Sequence, residues 1–179
     1  IFYKQLANYI NNFFNNDKNK TLLEIGCGDG LLLGFFKKKG WIIFGTERTV
    51  ALDNISAKQL NISDKHLSDF PNNNFDLIIL NNSFEHLPDP QNIEKLFDKK
   101  LKKNGLLVIN IPSVNSIQYK FGKGHWYHLD APRHLQIFDD KYFYNFSKEY
   151  GFKIIKNRSI GFFLEFFGKK LYKKLSRTS

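Results

Sequence analysis

The run Glu24-Ile25-Gly26-Cys27-Gly28-Asp29-Gly30 holds the residues whose types and spacing point most directly to chemistry. Glycines at alternate positions tolerate positive φ and carry no Cβ to hold a ligand away. The apolar residues Leu22 to Ile25 lead into them as a short buried strand with a carboxylate, Glu24, inside it. A helix should open near Gly30, with Asp29 placed to cap it and the free N–H groups of its first turn facing the same crevice. Strand, glycine turn and helix N-terminus together form a nucleotide cradle at the carboxyl edge of a parallel sheet. The second element of that cradle is Glu47, which ends the next predicted strand. An acidic residue about twenty positions past the turn can take both hydroxyls of an adenosine ribose, because a carboxylate only accepts and offers two oxygens side by side. The alternative is a surface glutamate at a strand end. With Glu47 on the ribose, Arg48 or Thr49 would pack over the adenine edge.

Another concentration of chemistry lies in His125-Trp126-Tyr127-His128-Leu129-Asp130-Ala131-Pro132-Arg133-His134-Leu135. A stretch this rich in polar and aromatic groups, following a core strand, is a candidate binding lid. A histidine near neutral pKa suits proton removal from an acceptor. His128 and His134 are the candidate bases, and Arg133 the candidate for binding an anionic or hydroxyl-rich acceptor. The competing reading is a folded loop whose histidines bond each other and the backbone. A metal site is a weaker third reading, since no ligand spacing on a regular element is apparent. His86, in Glu85-His86-Leu87-Pro88-Asp89-Pro90, can orient the site, act as a base, or simply support the loop.

The elements that must position these groups follow from periodicity and punctuation. Residues 2–15 have helical spacing (Phe2, Leu6, Tyr9, Ile10, Phe13, Phe14), and 15–20 read as a loop. A helix over 30–39 ends in Lys37 to Lys39, which suit the negative end of its dipole, and Gly40 closes it. Strands are predicted at 41–46, briefly within 61–70 (with Asp64, His66 and Asp69 in the adjoining loop), at 75–80, 106–111 and 152–158. Helices are predicted at 50–60, 91–102, 139–150 (capped by Asp139 or Asp140, closed by Gly151) and 160–175. This is a Rossmann-like α/β domain, a three-layer α/β/α sandwich with a mostly parallel sheet. The usual seventh strand is not found in the pattern.

The G-x-G-x-x-G dinucleotide fingerprint is not met, since Leu31 stands where its third glycine would be. The pattern Glu-x-Gly-x-Gly-x-Gly resembles instead the first motif of the class I S-adenosylmethionine-dependent methyltransferases. Phe75-Asp76 followed by an apolar run, Glu85-His86-Leu87-Pro88-Asp89-Pro90, and Leu101-Lys102-Lys103-Asn104-Gly105-Leu106-Leu107-Val108-Ile109-Asn110-Ile111-Pro112 are similar to later segments of that family. The order agrees as well, over roughly residues 20–155. The resemblance implies S-adenosylmethionine as cofactor. It implies cofactor contacts at Glu24, Gly26, Cys27, Gly28, Gly30, Glu47, Arg48 and Asn81, the last beside the methionine part, with Cys27 a small structural filler. The run Trp126-x-His128-Leu129-Asp130-x-Pro132-Arg133-His134-Leu135 resembles a subgroup acting on saccharides or other small molecules. Methyl transfer from a sulfonium is an in-line displacement in which alignment is the main need, and an oxygen acceptor also sheds a proton. Some ubiquinone-biosynthesis O-methyltransferases carry Glu-x-x-Glu-His here with a divalent metal. This chain has Asn82 at the first position, an amide ligates more weakly than a carboxylate, and no metal is expected. A sugar-modifying NAD enzyme and a non-catalytic cofactor-binding protein are the alternatives.

Composition bounds the rest. The chain has 179 residues, 42% hydrophobic, with 19 phenylalanines. That suits one domain, 1–179, with a Phe-rich core: a cofactor half at 20–112, a substrate or lid segment at 113–136 and an amphipathic helix at 160–175. The lone Cys27 excludes an internal disulfide. No run would span a bilayer and no signal peptide is visible, so a cytoplasmic protein is expected. The chain begins at Ile1 and contains no Met, so preceding residues are expected to be missing. The net charge of +10 comes from scattered lysines. It reads as a solvated surface with no nucleic-acid partner, since no RNA-binding module is recognisable. Phe162, Phe163, Phe166, Phe167 and Leu171 beside Lys169, Lys170, Lys173 and Lys174 would suit an anionic membrane surface and a lipid-linked acceptor. Packing on its own domain or on a second copy is the other reading.

Overall fold

The computed structural model describes residues 2–48, 58–111, 136 and 138–155. The helix expected over 50–60 falls almost wholly outside them. So do Thr49, nearly all of the 113–136 segment with His128, Arg133 and His134, and the helix expected at 160–175.

The sheet has the strands β1 (Thr21–Ile25), β2 (Ile42–Thr46), β3 (Ile62–Ser63), β4 (Phe75–Asn81) and β5 (Leu101–Asn110). They lie in the order β3-β2-β1-β4-β5, every pair parallel. The chain runs outward from β1 through β2 to β3, then crosses back to β4, so the order reverses between β1 and β4. That switch point is where an open α/β sheet binds its ligand. Buried parallel strands should be apolar on both faces, and they are. Leu22, Leu77, Ile79, Leu106 and Val108 pack on one side with α1 (Phe2–Phe13) and α2 (Leu31–Lys37). Leu23, Ile78, Leu80, Leu107 and Ile109 pack on the other with α3 (Pro90–Lys100) and α4 (Asp140–Tyr150). The phenylalanines concentrate in the second layer, where Phe84, Phe138 and Phe143 meet with ring centroids 4.9–6.0 Å apart.

Local chemistry sets the ends. Asp139 caps α4 by accepting the Tyr142 N–H at 2.8 Å, and Gly151 at φ 69° ends it, as the pattern predicts. Asp89 caps α3 through the Asn92 N–H. One boundary differs from expectation. Asn104-Gly105 reads as a helix end, yet α3 stops at Lys100 and Leu101 already pairs with Phe75. The register then slips, and Leu77 pairs with Leu106. Asn104, at φ 68°, turns within this irregularity. Burying Leu101 completely outweighs the local turn signal. The strand expected at 152–158 is not formed over its described part, 152–155, where Lys153 alone makes a bridge.

Asp76 staples the edge opposite the carboxyl ends. Its Oδ2 accepts the Thr21 N–H at 2.8 Å and the Lys102 ammonium at 2.7 Å. Burial by itself would raise its pKa, but Lys102 and Thr21 outweigh that and hold the carboxyl below its usual value of 3.8. A depressed carboxylate stabilises the fold above its unfolded pKa, and that stability is lost as pH falls through the folded value. Asp76→Asn is expected to cost about 1–2 kcal/mol at neutral pH. In urea melts its gap from the parent protein should close below the ordinary carboxylate pKa.

Candidate active site

The site is built where β1, β2 and β4 end. Gly26, Gly28 and Gly30 all have positive φ (69°, 54° and 76°), the backbone requirement the spacing predicts. Two of them have a second reason to be glycine. A Cβ on Gly26 would lie 2.5 Å from Ser83 Cβ, and one on Gly30 would lie 2.7 Å from Leu60. Ser83, just past β4, donates its hydroxyl to Ile25 O at 2.6 Å. The loop after β4 is thereby locked onto the glycine turn, 58 residues away in sequence. Among the described residues a Cβ on Gly28 meets nothing within 4 Å, so that side of the turn is open to them.

Several N–H groups of the turn itself are taken. Thr46 O accepts from Gly26 N (2.8 Å) and Cys27 N (3.1 Å), and Cys27 O accepts from Gly30 N (3.0 Å). Glu47 accepts from Gly28 N at 3.0 Å. Gly30, not Asp29, is the cap residue of α2; Asp29 accepts instead from Leu31 N at 3.1 Å. What surrounds the turn is therefore carboxylate. Glu47, half-buried, holds the turn through one oxygen and the Arg48 N–H (2.8 Å) through the other. Arg48 itself is exposed. Glu24 is 2% exposed and its Oε2 has no hydrogen-bond partner among the described residues. Burial, with Asp29 nearby, pushes its pKa well above the usual carboxylate value. Burial likewise pushes the Cys27 thiol up to about 12, with Glu24, Glu47 and Asp29 adding to it. Such a thiol is no nucleophile. It fills space, and a Cβ on Gly45 would lie 2.7 Å from its sulfur.

Alternation along the strands puts Glu24, Asn81 and Asn110 on the α1/α2 face. Asn81, buried at the end of β4, accepts 2.7 Å from the Asn110 amide opposite it on β5. Asn110 is fully buried and its own Oδ1 has no partner. Sequence reasoning misses Asn110, whose only signal is a lone amide at the end of an apolar strand. It also misses Glu85, which the short helical turn Phe84–His86 buries. Burial pushes Glu85 up to about 7, against its own backbone N–H and the charge of His86. His86 is exposed.

A family model described as a methyltransferase domain matches residues 2–157. The chain belongs to that family. Among curated relatives, the ubiquinone biosynthesis O-methyltransferase of Coxiella burnetii is 31% identical over 113 residues, covering 58% of this chain and 48% of that protein. The enzyme of the same name from Glaesserella parasuis is 31% identical over 116 residues, covering 57% and 49%. The chain thus spans about half the length of the curated relatives it matches. A SAM-dependent methyltransferase from Aquifex aeolicus has the same fold, with a TM-score of 0.67, 13% identity, and 91% of this chain and 88% of that one covered. Another from Archaeoglobus fulgidus gives 0.62, 20%, 86% and 71%. The fold is the class I methyltransferase fold, a Rossmann-like parallel sheet with helices on both faces, and the family's cofactor is S-adenosylmethionine.

The residues present fit that cofactor. It carries an ammonium, a sulfonium and a carboxylate, and no phosphate. The methyltransferase turn offers an open glycine face, an unpartnered buried carboxyl oxygen and further carboxylates, with several of its N–H donors engaged internally.

Proposed function

We propose that this domain transfers a methyl group from S-adenosylmethionine to an oxygen of a hydroxylated small molecule, such as a sugar or a lipid-linked acceptor. The acid-lined glycine turn carries this reading. The bound cofactor supplies an electrophilic methyl on a sulfonium, and everything else falls to the chain. Glu47 accepts the ribose hydroxyls, Arg48 lies along the adenine edge, and Gly28 leaves room for the cofactor's body. Glu24 and Asn81 take the methionine end. Alignment of acceptor oxygen and methyl is the main catalytic contribution. A base then receives the acceptor's proton: His128 or His134, with Arg133 holding the acceptor and His86 a further candidate. The relatives' name, O-methyltransferase, supports oxygen as the target atom. Residues 160–175 would rest on an anionic membrane if the acceptor is lipid-linked. Among the described residues no helix is long and apolar enough to cross one.

The test is calorimetric binding of S-adenosylmethionine, its demethylated product and NAD, followed by labelled-methyl transfer to a panel of diols, catechol and methyl glycosides with and without EDTA. Binding of the first two and not NAD, with chelator-insensitive transfer lost in His128→Ala or His134→Ala, is the expected result. NAD binding alone would overturn the cofactor. Cofactor binding without transfer to any acceptor would favour a non-catalytic binding protein.

A further inference from the structure

We propose that Asn110 is a positioning residue for cofactor binding: it turns the Asn81 amide so that N–H donors face the carboxylate of the cofactor's methionine part. The inference rests on the cofactor reading above and adds a residue that does not itself touch the ligand.

Asn110 is out of place on grounds of stability. It ends β5 after Leu106-Leu107-Val108-Ile109, is fully buried, and precedes the buried Ile111. Its Oδ1 has no partner among the described residues. A buried amide with an unmet oxygen carries a desolvation cost that a valine there would not, and functional sites are where such local rules are broken. What Asn110 does is donate. Its Nδ2 gives a hydrogen bond to Asn81 Oδ1 at 2.7 Å. The backbones hold the two amides opposite each other: Asn81 pairs with Asn110, and the Asn82 N–H donates to Asn110 O at 2.8 Å. With the Asn81 oxygen engaged on its β5 side, the end of that amide left for a ligand is its N–H pair. Asn81 ends β4, across the glycine turn from Glu47. It is 8% exposed, against 0% for Asn110, so a ligand in the crevice reaches Asn81, and Asn110 acts only through it.

The polarity matters because of charge. The cofactor brings a carboxylate to an edge that already carries Glu24, Asp29 and Glu47. Arg48 and Lys65 follow β2 and β3, two strands or more from β4, and Lys4 is exposed on α1. A carboxylate arriving at β4 is held by neutral donors. An amide already locked with its N–H pair outward supplies them without reorganisation, whereas an outward carbonyl would repel it.

The experiment measures calorimetric binding of S-adenosylhomocysteine and of its decarboxylated analogue, which keeps the amine and lacks the carboxylate. The proteins are the parent, Asn110→Val, Asn81→Ala and the double variant. Asn110→Val should hold its melting temperature and bind the decarboxylated analogue as the parent does, while losing about tenfold in affinity for S-adenosylhomocysteine. In the Asn81→Ala background the same valine should cost nothing further, because Asn110 acts through Asn81. Asn110→Ala repeats the comparison without the bulk of valine. Unchanged affinity, or equal losses for the two ligands, would overturn the inference and leave the cofactor reading standing. An undiminished loss from valine in the Asn81→Ala background would also overturn it. So would a large fall in melting temperature in both Asn110 variants, which would make the amide pair a tie of the fold. Failure of the parent protein to bind S-adenosylhomocysteine would bring down the cofactor reading itself, and this inference with it.

Discussion

Glu47→Ala should weaken S-adenosylmethionine binding by about 2 kcal/mol or more, a loss of roughly 30-fold, by calorimetry. Two effects add. On the proposed reading, removing the carboxylate takes away the acceptor for the ribose hydroxyls, leaving those donors without that partner on the protein. It also releases the Gly28 N–H, which Glu47 Oε2 holds at 3.0 Å, so the turn loses a tie that orders it before the ligand arrives. Glu47→Gln separates the two. An amide keeps an acceptor oxygen and is expected to retain part of the affinity, whereas a loss as large as that of the alanine variant would show that charge dominates. Because Glu47 is half-buried at the end of β2, neither change should move thermal stability by more than about 1 kcal/mol. Unchanged affinity in Glu47→Ala would remove Glu47 from the site.

Gly26→Ala should be the most damaging single change in the turn. At φ 69° an alanine is strained by about 1–2 kcal/mol. Its Cβ would also stand 2.5 Å from Ser83 Cβ, and making room in packed surroundings adds about 1–3 kcal/mol. Ser83 cannot retreat without giving up its 2.6 Å bond to Ile25 O, so the damage passes to the loop after β4. The expected total is about 3 kcal/mol, or roughly 6–12 °C in melting temperature for a chain of this size. Gly28→Ala is the control. Its φ of 54° carries similar strain, but its Cβ meets nothing within 4 Å. It should lose only the backbone strain of about 1–2 kcal/mol, less than Gly26→Ala, while binding cofactor poorly, because the methyl occupies the open face. Equal stability losses in the two variants would mean that Ser83 yields freely and that the lock between the loops is not tight.

Much of the site was legible because local rules govern it. Alternating glycines signal a positive-φ turn wherever they fall, and Gly26, Gly28 and Gly30 all obey. Asp139 and Gly151 punctuate α4 through backbone geometry within a few residues. The apolar runs of β1, β4 and β5 announce strands buried on both faces. Where local and tertiary signals compete, the sequence misleads. Asn104-Gly105 suggests a helix end, but the fit of Leu101 beside Phe75 starts the strand earlier. Phe152 to Arg158 has strand composition, yet a strand needs a partner ladder, and its described part has only a single bridge.

The sequence by itself determined the fold class, the place of the glycine turn and the acidic residue at the end of the second strand. Each depends on periodicity or on spacing along a chain of fixed geometry. The tertiary structure alone decided how that turn is charged and held. N–H groups of the turn bond to Thr46 and Glu47, Ser83 clamps it from the end of β4, and Glu24 lies buried with one carboxyl oxygen unpartnered among the described residues. Those facts depend on which groups meet across the sheet and on how much water they exclude. A carboxylate in a sequence carries no record of its neighbours, and desolvation and pairing decide whether it is an exposed charge, a hydrogen-bonded clamp or a buried acid with a raised pKa.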